Sequence, residues 1–174
     1  MPLTLPQSTV ITSDRATLLV VDDTPANLSL LNQCLKQRGY QTRCALSGKL
    51  ALDYLESHRP DLILLDILMP EMNGYEVCTS IKNNAATADI PIIFISAIDE
   101  AFDKVKAFSA GGTDYITKPF QIEEVYARIE HQLTIKAQHK KIQIQNHALT
   151  ESNERLKYFA NILAHDLKQP IQSI

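Results

Sequence analysis

The chain has 174 residues, 45% of them hydrophobic and 21% charged, with a formal net charge of −3. That length supports one sizeable core plus an extra element rather than two full domains, and the charge gives no basis for nucleic-acid binding. The apolar runs are strand-sized, far short of the roughly 20 residues that cross a bilayer, and residues 1–16 read as a flexible tail lacking the basic start and apolar block of a signal peptide.

The first strand is Thr17–Val21, closed by Asp22 and Asp23. Thr24-Pro25 then reads as an N-cap with proline at the first helical position. The next helix carries Leu28, Leu31 and Leu35 on one face and stops at Gly39, a C-cap glycine. Tyr40–Ala45 is a short second strand. Ser47 caps a second helix whose buried stripe is Leu50, Ala51, Tyr54 and Leu55, and Arg59-Pro60 ends the connection. The third strand, Asp61–Leu65, is apolar on both faces, as a central parallel strand should be, and Asp66 closes it. Met69–Gly74 is a loop by composition and Tyr75–Asn83 is helical. Ile92–Ile95 is the fourth strand, closed by Ser96. Asp99–Ala110 is the next helix, ended by Gly111-Gly112. Tyr115–Thr117 is the fifth strand, followed by Lys118, and Gln121 begins a final helix. Five such βα units predict an α/β fold: a flavodoxin-like, doubly wound parallel sheet in the order 2-1-3-4-5 with right-handed crossovers.

Beyond Gln132 the pattern changes. Ile135, Ile142, Leu149, Leu156 and Leu163 recur every seven residues, a heptad seam that continues the last helix. With those residues at d, the a positions are His139, Asn146, Asn153 and Ala160. Asparagine at a costs stability but fixes register and favours a parallel pair. Two readings meet this seam: a self-associating coiled coil, or one amphipathic helix folded back on its own domain. The narrow seam, polar on both sides, favours a parallel homodimer.

Cys34, Cys44 and Cys78 have no metal-ligand spacing and, as an odd number, no disulfide framework. They read as small apolar residues in a protein of the reducing cytoplasm.

In a parallel α/β sheet the carboxyl ends of the strands share one edge, so Asp22, Asp23, Asp66, Ser96 and Lys118 converge there. A lone strand-end aspartate is more often a helix N-cap than a ligand. Three crowded carboxylates repel unless a cation joins them. The set Asp22-Asp23, Asp66 followed by Met69-Pro70 and Gly74, Ser96-Ala97, and Lys118-Pro119-Phe120 resembles the response-regulator receiver domain of two-component signalling. The resemblance covers residues 17–132. It implies Asp66 as phosphoacceptor, attacking the phosphorus of a phosphohistidine donor protein in line. It implies Mg²⁺ held directly by Asp23 and Asp66 and by the backbone carbonyl of Leu68, with Asp22 acting mainly through water. Lys118 would neutralise the transferring group, and Ser96 would donate to the bound phosphoryl. Tyr115 matches the family's switch aromatic, turning inward as Ser96 moves. Lys118-Pro119 would be cis. Two departures stand out. Gly112 occupies a place where alanine is common, which should loosen that corner. Leu68 flanks the path of hydrolytic water.

The run from Tyr158 through His165, Asp166, Lys168 and Pro170 resembles the H-box of a histidine kinase dimerisation domain. The resemblance makes His165 a phosphohistidine candidate, with Asp166 accepting the imidazole proton and Pro170 bending the helix. His131, His139 and His147 lack that context and read as surface residues. The implied organisation is a receiver (17–132), a signalling helix (133–157) and the truncated start of a dimerisation domain (158–174). No glycine-rich nucleotide loop occurs, so the chain is expected to be the front of a longer histidine kinase rather than a kinase by itself. The alternative is a stand-alone dimeric response regulator whose coiled coil binds a partner protein. A phosphotransfer protein shuttling between Asp66 and His165 is disfavoured by reach, and a DNA-binding output by the lack of a basic patch. No membrane association is expected.

Overall fold

The computed structural model describes residues 16–97 and 101–168, without the side chains of 101–103. Residues 1–15 of the expected tail, Asp99 at the expected start of the fourth helix, and Pro170 lie outside the described residues. Five strands, β1 (Thr17–Val21), β2 (Gln41–Ala45), β3 (Leu62–Asp66), β4 (Ile92–Ser96) and β5 (Asp114–Thr117), alternate with α1 (Pro25–Gln37), α2 (Gly48–Leu55), α3 (Gly74–Asn83), α4 (Ala101–Ser109) and α5 (Ile122–Lys168). The sheet is parallel throughout, in the order β2-β1-β3-β4-β5. The chain divides into two units after Leu133.

Period-two alternation along the inner strands builds two cores in the first unit. On one face Leu19, Val21, Ile63, Leu65, Ile92, Phe94 and Tyr115 pack with α2, α3 and α4. On the other, Leu18, Val20, Leu62, Leu64, Ile93, Ile95 and Ile116 pack with α1 and the first turns of α5. Every residue of β3 and β4 is buried, as helices on both faces require.

Local signals mostly act as expected. Leu28, Leu31 and Leu35 are the buried face of α1. Gly39 takes φ +98°, and its N–H and that of Tyr40 return to the carbonyls of Lys36 and Leu35, a Schellman cap. That use of the Tyr40 N–H explains why β2 begins at Gln41 rather than Tyr40. Ser47 accepts from the Leu50 N–H. In α3, Asn73 and Glu76 form a full capping box.

Two expectations fail. Leu50 is 52% exposed rather than part of the α2 stripe. The inward line is Gly48, Ala51 and Leu55, set by the close approach of Gly48 to Val77 and Met72, and Leu50 lies two residues off it. Nor is the Gly112 corner loosened. A Cβ there would meet Phe94 Cε2 at 2.5 Å and the Ala107 carbonyl at 3.0 Å, so the large Phe94 ring fills the space that alanine would need.

The root of α5 is fixed on two sides. Towards α1, the Tyr126 hydroxyl donates to the Cys34 carbonyl (2.9 Å), the Arg38 guanidinium lies 5.1 Å from the Tyr126 ring centre, and Arg38 pairs with Glu130 (3.1 Å). Towards β5, Arg128 pairs with Asp114 (2.7 Å) and the buried Gln132 amide donates to the Thr113 carbonyl (3.5 Å). The second unit, 134–168 as described, is helical, and its Ile142, Leu149, Leu156 and Leu163 side chains are exposed.

Gly112→Ala should destabilise the protein by about 1–3 kcal/mol through overpacking. In a Phe94→Leu background the same change should cost less. Urea unfolding of the four proteins checks this, and equal costs in both backgrounds would rule out Phe94 as the cause.

Candidate functional site

The order β2-β1-β3-β4-β5 puts its switch point between β1 and β3, and ligands of such sheets bind outside the carboxyl ends of the strands there. Asp22 and Asp23 follow β1, Asp66 ends β3, Ser96 ends β4 and Lys118 follows β5. Pairing of Asp66 with Ile95 and of Ser96 with Thr117 aligns these ends across the sheet. The Lys118 N–H donates to the Ser96 carbonyl at 2.7 Å, and the Lys118–Pro119 peptide is cis.

Lys118 Nζ lies 2.9 Å from Asp22 Oδ2 and 3.0 Å from Asp66 Oδ2, bridging two buried carboxylates. The remaining Asp66 oxygen accepts from the Leu68 N–H at 3.3 Å. Asp22, Asp23 and Asp66 each offer a carboxylate oxygen, and these three atoms lie within 4.8 Å of one another. Only hard oxygen donors meet there, the donor set that suits Mg²⁺, so the residues present fit the ion that the sequence implies. Ser96 is fully buried, Ala97 beside it is exposed, and the Leu68 side chain is exposed at the rim.

Burial pushes the Asp66 carboxyl above its ordinary value, and the nearby Asp22 adds to this, while the hydrogen bond and charge of Lys118 and the Leu68 N–H oppose it. For Lys118, burial works against the charge, yet the two carboxylates outweigh it and hold the ammonium above its usual value. Burial thus weighs against the Asp66 carboxylate, while the two carboxylates favour the Lys118 ammonium.

Tyr115 is buried, paired with Phe94 in the sheet, and Lys104 Nζ lies 5.8 Å from its ring centre. In α5, His165 Nδ1 stands 3.7 Å from Asp166 Oδ1, with both side chains largely exposed. His165 belongs to the second unit and the acidic site to the first. One site residue had no signal in the sequence pattern. Asn27, in the first turns of α1, donates its amide to both oxygens of Asp22, at 3.2 and 3.0 Å.

A doubly wound sheet with an acidic, lysine-bridged pocket at its switch point defines the structural class. The chain belongs to the response regulator receiver family, matching the family described as response regulator receiver domain over residues 18–130. It is 42% identical over 119 residues to a probable cyclic di-GMP phosphodiesterase of Vibrio cholerae, covering 68% of this chain and 27% of that protein. To the response regulator PleD of Caulobacter vibrioides it is 38% identical over 114 residues, covering 66% of this chain and 25% of PleD. Among solved structures, the signal receiver domain of a signal transduction histidine kinase from Syntrophus aciditrophicus superposes with a TM-score of 0.65 at 34% identity, covering 68% of this chain and 90% of that one. The chain spans about a quarter of the length of these curated relatives. Receiver domains accept phosphoryl groups from histidine kinases or phosphotransfer proteins. Among the described residues, no helix is long and apolar enough to cross a membrane.

In metal-free protein, the Asp66 carboxyl followed by carbon NMR should titrate above the usual carboxylate range, because burial dominates. Ionising Asp66 therefore costs folded stability, a cost absent below its unfolded pKa and complete above its raised folded one. Lys118→Met removes the opposing charge and should move the midpoint further up. A midpoint that falls or stays put in the variant would contradict this balance.

Proposed function

We propose that residues 17–132 accept a phosphoryl group on Asp66 from a phosphohistidine donor with the aid of Mg²⁺, and thereby regulate a histidine kinase in the same polypeptide. The observation that carries the first half is the Lys118 ammonium bonded to both Asp22 and Asp66, with the Asp23 carboxylate alongside. An Asp66 oxygen attacks phosphorus and the P–N bond to the donor imidazole breaks. Its electron pair returns to the ring nitrogen, which takes up a proton. Lys118 neutralises charge on the phosphoryl oxygens, and Ser96 donates to one of them once the acyl phosphate forms. Asp22, Asp23, Asp66 and the Leu68 carbonyl are the groups that would hold Mg²⁺, which would supply further charge neutralisation at the transferring group. Tyr115 is the switch residue. Its change of position alters the surface built from α4, β5 and α5.

The receiver match alone does not select an output, since its relatives include a probable phosphodiesterase and transcriptional regulators. The segment after Leu133 supports the kinase reading. Exposed Ile142, Leu149, Leu156 and Leu163 recur every seven residues, and the His165-Asp166 pair resembles an H-box. A similar receiver, that from Syntrophus aciditrophicus, belongs to a signal transduction histidine kinase. In this reading two copies pair in parallel through the seam as a cytoplasmic dimer, and the phosphorylation state of Asp66 changes that pairing and so the setting of His165.

Acetyl phosphate with Mg²⁺ should add a single phosphoryl group, read by intact mass, that chelation of the metal prevents and Asp66→Asn abolishes. Labelling that persists in the variant would place the acceptor elsewhere. Aspartate at both Leu149 and Leu156 should convert a dimer to a monomer in sedimentation, and cysteines placed along the seam should cross-link differently with and without beryllofluoride. An unchanged sedimentation or cross-linking pattern would refute the paired helix or its coupling to Asp66, respectively.

A further inference from the structure

Asp22 and Asp23 are adjacent carboxylates with very different surroundings. Each Asp22 oxygen receives two donors. Oδ1 accepts from the Thr24 N–H (2.8 Å) and the Asn27 amide (3.2 Å), and Oδ2 accepts from the same amide (3.0 Å) and from Lys118 Nζ (2.9 Å). A carboxylate offers about four lone-pair positions, so Asp22 is filled by the protein itself. Asp23 is half-exposed, and among the described residues the donor nearest it is the Thr24 hydroxyl at 3.5 Å. Asp66 accepts one donor on each oxygen.

We propose that Asn27 is a positioning residue of the phosphoryl-transfer site: by spanning both oxygens of Asp22 it withholds that carboxylate from a bound cation and limits its share of Lys118, so that Asp23 and Asp66 supply the direct oxygen ligands. The inference rests on the phosphoacceptor reading of Asp66. Asn27 is the third residue of α1, a helix that opens on Pro25, and this places the amide over Asp22. The amide also determines how Lys118 is shared. While Asp22 draws hydrogen bonds from Asn27 and Thr24, its demand on the ammonium is lowered, and Lys118 stays available to Asp66 and to the group arriving there. Without the amide, Asp22 would open an oxygen towards the cation and take a larger share of Lys118.

This division predicts opposite effects on two quantities that structural damage would move together. Mn²⁺ binding is measured by electron paramagnetic resonance of the free ion, and Asp66 labelling by acetyl phosphate with Mg²⁺, in wild type, Asn27→Ala, Asn27→Leu, Asp22→Asn and the double variants. Either change at Asn27 should tighten Mn²⁺ binding roughly five- to tenfold, the equivalent of about one hydrogen bond, while slowing Asp66 labelling. In the Asp22→Asn background, the same changes should leave Mn²⁺ binding unaltered. Asn27→Leu keeps the side-chain bulk should the alanine variant not fold. Weaker or unchanged Mn²⁺ binding in the Asn27 variants, or the same effect with Asp22 replaced, would overturn the proposal. A wild-type protein that neither binds Mn²⁺ nor takes a phosphoryl group on Asp66 would instead refute the phosphoacceptor reading, and this inference with it.

Discussion

Two carboxylates buried side by side at the end of a parallel sheet are mutually repulsive, and the Lys118 ammonium between Asp22 and Asp66 makes them tolerable. Removing one partner of such a buried pair costs on the order of 3–5 kcal/mol, because the charge left behind has neither water nor a counter-ion. Much of the fold serves that contact. Lys118 must arrive from β5, at one edge of the sheet, and reach β1 and β3 at its middle. The Ser96 carbonyl fixes its backbone, and the hydrophobic layers on both faces of β3 and β4 hold the strand ends in register. The carboxylate charge that costs stability in the metal-free protein also draws cations and electrophilic phosphorus to the site. Stability and chemistry are therefore opposed within a few ångströms.

The receiver match is common ground with relatives whose printed names differ widely, from a probable cyclic di-GMP phosphodiesterase to transcriptional regulators. A site confined to strand ends can be inherited intact while the far end of the last helix changes partner. The acidic, lysine-bridged site lies in the first unit, and the family match ends at residue 130, before the second unit begins.

Much of this was legible in the amino-acid sequence. Strand order, the strand-end residues and the helix stops are written in short-range patterns: apolar runs of five, a Thr-Pro start, a glycine after the last leucine. What escaped depends on pairs far apart in the chain or on angles that spacing does not encode. Gly112 is informative only beside Phe94, whose ring occupies the place of the missing methyl. Leu50 looked like part of a stripe until Gly48, brought against Val77, set which side of α2 faces inward. Asn27 reads as an ordinary helix residue, because its hold on Asp22 depends on the direction in which α1 leaves β1. The apolar heptads after Gln132 were visible at once, since exposed leucines at constant spacing need no tertiary context to be noticed.

The two-sided anchoring of Tyr126, Arg128, Glu130 and Gln132 has a consequence for how such proteins can be recombined. The family match ends at residue 130, yet the tie to the Thr113 carbonyl comes from Gln132, two residues beyond it. A transplant joint made inside those turns would cut the helix where it still belongs to the globular part, taking the Tyr126 hydroxyl from the Cys34 carbonyl and the Gln132 amide from the Thr113 carbonyl. Shuffling of receivers among different outputs, by evolution or in the laboratory, is therefore confined to seams beyond Leu133. There, inserting or deleting whole helical turns shifts the grafted output along the helix axis, by about 5.4 Å a turn, and leaves its rotational phase unchanged.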